Sequence, residues 1–372
     1  MSKIYKWVLA ASAVFVLITL AIFVRRFFSN QLEKRLIDNA VVPIRLTIKD
    51  HDRMEMLAQM LVFPEQKWIL FYFVNTDAFQ PDASKPIGDQ VGIFADNFEK
   101  YTGFKSAYSI DLNKQSIARL IDLTEGFPIY LEAAQVLPGA VFQYPAGRSR
   151  FSGEQAAEYA LVRRPQPGQE HMNGLERMRR METILLNVFW NLEKLESKMR
   201  AKPLKEFAIK LVESDLTSAE LMSLGAFVGN CTVTILEVPL ELGSDRRLVV
   251  KEKRARTVYS EFFDNLRSGR LKKELFSLEV LNGTEIGGLA RRVKQFLQDR
   301  GVLVLNADNY PIKPVPKSVV LVRSGRTSLG HHMMEMTALP VESVFFDRGI
   351  QDVDVTILLG QDFDIKKLQV IE

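Results

Sequence analysis

The sequence predicts an α/β protein with an N-terminal transmembrane helix followed by two globular domains. Residues 7–24 form an apolar run without a charged side chain. From about residue 41 onward, short apolar segments typical of strands alternate with segments of helical periodicity. The 372 residues, 47% apolar and 25% charged, can bury two cores and are too apolar for a disordered chain.

The apolar run 7–24, WVLAASAVFVLITLAIFV, is at the short end of what spans a bilayer. A cleaved signal peptide is the alternative, but Arg25, Arg26, Phe27 and Phe28 follow the run where a cleavage site would need small residues. We therefore expect an uncleaved anchor, with a short tail at residues 1–6 and a charged stalk at residues 25–40. Basic residues flank the run on both sides, so charge alone does not set its orientation.

Composition narrows the choice of partners. The net charge of +4 reflects 49 Lys and Arg against 45 Asp and Glu, which gives no reason to expect nucleic acid. A helix-turn-helix pattern with a basic recognition helix is also missing from the sequence. The single cysteine, Cys231, excludes an intrachain disulfide and is best explained as a small buried hydrophobe.

The first domain is predicted at residues 41–267. The run WILFYFV at Trp68–Val74 is typical of a strand buried on both faces. Further strands are predicted at Ile44–Ile48, Met54–Phe63, Ala107–Ile110, Pro128–Leu131, Thr232–Val238 and Leu248–Val250. Helices are predicted at Gly88–Tyr101, Leu112–Leu123, Gly153–Arg164, Leu221–Val228 and Glu252–Arg267, and in the stretch that contains Arg177 and ends near Trp190.

A polar linker at residues 268–275 precedes the second domain, predicted at residues 276–363, and residues 364–372 form a tail. This domain has strand segments at Leu278–Leu281, Val302–Leu305, Ser318–Val322 and Val353–Leu359, with a helix that carries Ile286, Ala290, Val293 and Leu297 on one face. Asn282-Gly283-Thr284 precedes that helix. One glycine falls short of a phosphate-binding loop, so we interpret the tripeptide as a turn.

The helix that contains Arg177 carries the strongest candidate site. At 100° per residue its core stripe comprises Met178, Met181, Leu185, Val188 and Leu192, with Arg177 on the rim and Arg180 on the same side. Two arginines three residues apart near a helix start can hold a phosphate or pyrophosphate. By spacing alone an ordinary charged helix flank is the better explanation. The adjacent His331 and His332 point in different directions and make a poor chelate, and a nucleophile elbow with Ser or Cys is missing.

Several longer segments resemble the LytR-CpsA-Psr (LCP) family of bacterial envelope proteins. They are SIDLNKQSIARLIDLTEGFPIYL, FSGEQAAEYALVRR, GLERMRRMETIL and VESDLTSAELMSL, which lie within residues 41–266. The segments LEVLNGTEIGGLARRVKQFLQDRG and VDVTILLGQDF are similar to the LytR C-terminal domain often attached to that family. The resemblance implies an LCP-like α/β/α sandwich followed by a small α/β domain.

The resemblance also implies roles for individual residues. The pyrophosphate would contact Arg163, Arg164, Arg177 and Arg180. The family's Ile-Pro-Arg-Asp-Thr motif falls on residues 74–78, which keeps Asp77 as a catalytic candidate and magnesium ligand but places Thr76 where the family has arginine. Its early metal-binding aspartate falls on Gln59, and a later acidic residue falls on Gly174.

These matches imply a single-pass protein of the cytoplasmic membrane with most of the chain extracytoplasmic. Its partners would be the bilayer, a polyprenyl-pyrophosphate glycan carrier, and peptidoglycan or another wall polymer, with magnesium as the cofactor of an active phosphotransferase-like enzyme. Because metal carboxylates and an arginine are missing, binding of the glycan carrier is expected more firmly than its transfer. The alternative is a non-catalytic structural or assembly protein of the envelope.

Overall fold

The computed structural model describes residues 30–51, 53–90, 97–123, 125–163, 170–191, 202–273, 276–349 and 353–368. The predicted anchor at residues 7–24 and Arg164 lie outside these ranges. Of the helices within them, none is long and apolar enough to cross a membrane.

The described chain alternates between strands and helices. The strands are β1 Val42–Asp50, β2 Arg53–Phe63, β3 Trp68–Val74, β4 Tyr108–Asn113, β5 Phe127–Leu131, β6 Gly147–Phe151, β7 Glu213–Ser214, β8 Thr232–Glu237, β9 Leu240–Leu242, β10 Leu248–Val250, β11 Ser277–Asn282, β12 Leu303–Asn309, β13 Val319–Val322, β14 Val344–Phe346 and β15 Val355–Leu359. The helices are α1 Gln31–Ile37, α2 Asn97–Thr102, α3 Lys114–Asp122, α4 Gly153–Leu161, α5 Glu170–Trp190, α6 Lys202–Lys210, α7 Ser218–Val228, α8 Glu252–Arg267, α9 Leu289–Gln298, α10 Thr327–Thr337 and α11 Ile365–Leu368.

The first domain is built on a six-stranded mixed sheet of order β7-β4-β1-β2-β3-β8. β1 is parallel to β4 and β3 is parallel to β8, whereas β2 runs antiparallel to both of its neighbours. The carboxyl ends of β1, β3, β4 and β8 therefore lie at one edge of the sheet, where β2 begins. Crevices at such edges are the usual place for ligands in α/β proteins.

Both faces of the sheet are covered, as the run WILFYFV predicted. Phe71 and Phe73 of β3 join the core beneath α4 and α5, and the alternate residues Leu70 and Tyr72 join a second core with α2 and α8. This is the predicted α/β/α arrangement. Thr217 and Glu220 form a capping box that starts α7, as its sequence indicates.

The second domain contains a five-stranded sheet of order β12-β11-β15-β13-β14. Our expectation of about four strands missed β14, whose three residues are too few for a periodic pattern. Asn282 accepts hydrogen bonds from Thr284 N and Thr284 Oγ1, so the tripeptide forms the predicted turn. Gly301 adopts the predicted left-handed conformation, with φ of 81°.

The two domains pack against each other, and at their interface groups from other elements bond the backbone of one edge strand of each sheet. The Asn187 amide of α5 donates to Phe346 O and accepts from Phe346 N, which satisfies the edge strand β14. Gly325 O accepts a 2.6 Å hydrogen bond from Ile235 N on the other edge strand, β8. Arg348 spans the interface through ion pairs with Glu182 and Glu237.

Two expectations about local structure, at residues 31–37 and at Ile286, were wrong. Residues 31–37, placed in the stalk, form α1, whose buried Leu32 and Leu36 pack on the first domain. Of the helix expected at residues 88–101, the part from Asn97 onward is confirmed as α2, the chain begins there with a 3-10 turn at Ile87–Asp89, and residues 91–96 lie outside the described residues. The strand expected at residues 128–131 is confirmed as β5, which pairs with β6 in a hairpin separate from the six-stranded sheet. Ile286 is 53% exposed, because α9 begins only after it.

Candidate functional site

Two carboxylates and three arginines converge at the carboxyl edge of the first sheet. Arg53 and Glu55 lie at the start of β2, two residues apart and therefore on one face. Asp77 follows the end of β3, Arg163 follows α4, and Arg177 extends from α5. These five residues are called the arginine cluster below. With all groups ionised, three guanidinium groups face two carboxylates, which leaves one positive charge in excess.

Arg177 is the centre of the arginine cluster and is 1% exposed. It ion-pairs with Glu55 and, at 2.8 Å, with Asp77, and it donates to Glu55 O and Thr76 Oγ1 at 3.0 Å each. Burial, with Arg53 and Arg180 nearby, lowers the pKa of Arg177 to about 9. The guanidinium thus remains protonated at neutral pH and lies between the two carboxylates.

Arg53 and Arg163 form the outer side of the cluster, and each of their side chains is 38% exposed. Arg53 Nη2 lies 2.5 Å from Asp77 Oδ1. Arg163 bridges both acids, with Nη2 at 2.6 Å from Glu55 Oε2 and Nη1 at 3.1 Å from Asp77 Oδ1. An anion that approaches from solvent therefore meets these two guanidinium groups first.

Two buried donors at the cluster have no hydrogen-bond acceptor among the described residues. They are Arg53 Nε and Asn75 Nδ2. Asn75 is 1% exposed, and its Oδ1 accepts a hydrogen bond from Asp77 N. A buried donor without an acceptor is costly, which marks this edge as the least satisfied part of the cluster's surroundings.

Arg180 lies one helical turn beyond Arg177 and holds the loop that leads to Arg163. Its Nε donates to Tyr159 O at 2.6 Å and its Nη2 donates to Val162 O at 2.5 Å. These bonds position the end of α4, and with it Arg163. Within the structure described, Arg180 therefore acts as a positioning residue.

The residues of the cluster do not suit magnesium. All three cluster arginines ion-pair with Asp77, so a cation there would displace guanidinium groups. Gln59 is fully buried and bonds Phe104 O and Thr102 Oγ1. A Cβ on Gly174 would lie 2.7 Å from Asp77 Oδ2, which leaves no room for the acidic side chain that the sequence resemblance implied at this position. Among the described residues, no three His, Cys, Asp or Glu are grouped to hold a metal.

Sequence reasoning found part of this cluster. The structure brings Arg163, Arg177 and Asp77 together and places Arg180 beside them, whereas Arg164 lies outside the described residues. Sequence reasoning missed Arg53 and Glu55. Two charged residues at alternate positions of an otherwise apolar strand could have pointed to them. Arg177 was expected on the rim of α5 but lies in the core, because Glu55, Thr76 and Asp77 of the first domain surround its guanidinium group.

Comparisons with known proteins identify the second domain. Residues 276–363 match the family model described as LytR cell envelope-related transcriptional attenuator. This match confirms the LytR C-terminal domain recognised in the sequence. No curated protein matches the chain significantly.

The chain is also similar to several solved structures. A transcriptional regulator from Enterococcus faecalis is 15% identical, covering 64% of this chain and 94% of that one, with a TM-score of 0.49. A LytR-Csp2A-Psr enzyme from Actinomyces oris is 13% identical, covering 59% and 89%, with a TM-score of 0.47. The structure of TagT bound to LIIa-WTA is 13% identical, covering 61% and 91%, with a TM-score of 0.48.

Proposed function

We propose that this chain, in which an LCP-like domain precedes a LytR C-terminal domain, is an envelope protein that binds the pyrophosphate of a polyprenyl-linked glycopolymer. Residues 7–24 would anchor it in the cytoplasmic membrane as a single pass, with the remaining chain extracytoplasmic. The carrier lipid and a wall polymer would be its partners. The arginine cluster is the binding site in this proposal.

The observation that carries the proposal is the unbalanced charge of the arginine cluster together with the solvent exposure of its two outer arginines. Arg53 and Arg163 are exposed at the edge of the sheet. Phosphate oxygens accept several hydrogen bonds and carry the charge that the cluster lacks. Because the sequence predicts an adjacent membrane anchor, a lipid-linked pyrophosphate is the favoured anion.

We propose binding without transfer. Breaking a phosphoanhydride requires stabilisation of the developing charge, for which the family resemblance implies magnesium. The carboxylates here are paired with arginines, and the other positions implied for metal binding are Gln59 and Gly174. A chain with these residues is better suited to hold the carrier than to cleave it.

Binding of undecaprenyl pyrophosphate to the full chain in nanodiscs tests this function. The double variant Arg53→Ala/Arg163→Ala should weaken binding about tenfold or more, since each outer guanidinium contributes about 1 kcal/mol or more to the free energy of anion binding. The exposed pair Arg254→Ala/Arg256→Ala on α8 is the matched control and should bind normally. If the outer double variant binds as tightly as this control, the proposed site is wrong. Arg177→Ala is a poor probe because it also removes a core ion pair.

A non-catalytic structural or assembly protein is the second candidate. It is favoured by the internal bonds of Arg177 and Arg180, which leave these arginines committed to the fold. In that case the variant Arg53→Ala/Arg163→Ala would fully complement a strain that lacks this protein, whereas a variant without residues 276–372 would not. Failure of the arginine variant to complement, with normal expression, favours the binding function.

A further inference from the structure

A pocket lies where the hairpin β5–β6 meets the second domain. Its volume is about 450 Å³, within the usual range for small-ligand sites. The hairpin contributes Tyr130 and Arg148, and the loop that precedes β13 contributes Tyr310, Pro314, Pro316 and Lys317. The pocket thus exists only because the two domains pack together, and it shares no lining residue with the arginine cluster.

The wall of this pocket is aromatic and apolar, with hydroxyl groups set into it. Tyr130 and Tyr310 both line the pocket, and burial, followed by the neighbouring Tyr310, raises the pKa of Tyr130. The Tyr130 ring packs 6.0 Å from the Phe345 ring, which fixes its orientation. Flat tyrosine and proline surfaces beside hydroxyl groups can contact the C–H face of a sugar ring while bonding its hydroxyls.

Two cations stand at the rim of the pocket. The Arg148 guanidinium lies over the Phe345 ring, 4.9 Å from its centre, and Lys317 is exposed. Neither forms an ion pair with another described residue. Asp362 and Glu342 are the nearby acids that raise the pKa of Arg148, but burial lowers that pKa by more. Asp362 already accepts hydrogen bonds from Ser318 N and Ser318 Oγ. An anionic group would therefore find two available cations beside the aromatic wall.

We propose that this interdomain pocket binds an anionic saccharide, a sugar unit that carries a phosphate or carboxylate group. The aromatic wall would contact the ring, and Arg148 and Lys317 would pair with the charged substituent. A polyprenyl chain suits the pocket less well, because it would need an extended apolar groove and gains nothing from the two cations. The second domain would thus give the protein a sugar-binding site separate from the arginine cluster.

The test compares three probes on the full chain in nanodiscs: N-acetylglucosamine 6-phosphate, N-acetylglucosamine and inorganic phosphate. Calorimetry or ligand-observed NMR should show the sugar phosphate binding about tenfold more tightly than either of the others. The binding should persist in Arg53→Ala/Arg163→Ala, which excludes the arginine cluster as its source. Failure of the proposed function therefore leaves this result unaffected.

Variants assign the binding to the pocket. Arg148→Ala/Lys317→Ala should remove the preference for the charged sugar, and Tyr310→Ala should weaken both sugars about tenfold. Arg291→Ala/Arg292→Ala on α9, with two exposed arginines outside the pocket, is the control for a general loss of charge. The proposal is overturned if the two sugars bind with equal affinity or if inorganic phosphate binds as tightly as the sugar phosphate. It is also overturned if Arg291→Ala/Arg292→Ala lowers the affinity as much as Arg148→Ala/Lys317→Ala does.

Discussion

Replacement of Arg177 by alanine should destabilise the protein more than replacement of any exposed arginine of the cluster. The change removes hydrogen bonds to Glu55 O, Thr76 Oγ1 and Asp77, and it removes the innermost counter-charge of Glu55, whose side chain is 7% exposed. Breaking a buried ion pair by removing one partner costs about 3–5 kcal/mol. Because Arg163 still pairs with both acids, we expect the lower end, about 3 kcal/mol.

Urea unfolding of the full chain in detergent, followed by tryptophan fluorescence, measures this loss. Arg163→Ala is the matched control, since its side chain is 38% exposed and such pairs contribute about 1 kcal/mol or less. Equal stability of the Arg177 and Arg163 variants would refute the view that Arg177 is a structural element of the cluster.

Three further predictions concern positions around this site and the interface. The pKa of Glu182 is raised to about 7, first by burial and then by the nearby Glu237, although Arg348 opposes the shift. The native state therefore keeps a proton on Glu182 at pH values where the unfolded chain, whose glutamates titrate near pH 4.5, has already released it. Stability should therefore fall by up to about 3 kcal/mol between pH 4.5 and 7, and a Glu182→Gln variant with the same slope would contradict this. Gly174→Ala should lower the free energy of unfolding by about 1–3 kcal/mol, since the new Cβ would lie 2.7 Å from Asp77 Oδ2. Gly225→Ala is the control and should not destabilise the protein, because a Cβ there would have nothing within 4 Å. Equal unfolding midpoints for the two variants would argue against close packing at Gly174. Asn187→Ala should cost about 1–3 kcal/mol by leaving Phe346 N and O without their partner, and no loss relative to exposed Asn230→Ala would show that this cap is dispensable.

Much of the local structure follows from the sequence because its causes are local. The run at Trp68–Val74 has apolar residues at both alternations, so it predicted a strand covered on both sides, and Thr217 with Glu220 predicted the start of α7. The strands β6 and β14 escaped prediction, since their own patterns are short.

The candidate site shows the same division. The arginines of α4 and α5 were found through motif resemblance, yet their partners could not be predicted, because Glu55 and Arg177 are 122 residues apart and meet only when β2 and α5 pack together. The absence of space beside Gly174 is likewise a property of its neighbours Asn75 and Asp77 in the fold.

The sequence by itself determined the α/β class, the apolar run at residues 7–24 and the LytR C-terminal domain, since each rests on a continuous stretch of residues. Only the tertiary structure decided that Arg177 is buried against two carboxylates, that Arg53 and Arg163 are the exposed cations, and that the domains enclose a pocket between Tyr130 and Tyr310. Ion pairing and burial depend on groups brought together from distant parts of the chain, and the sequence pattern around a single residue does not specify them.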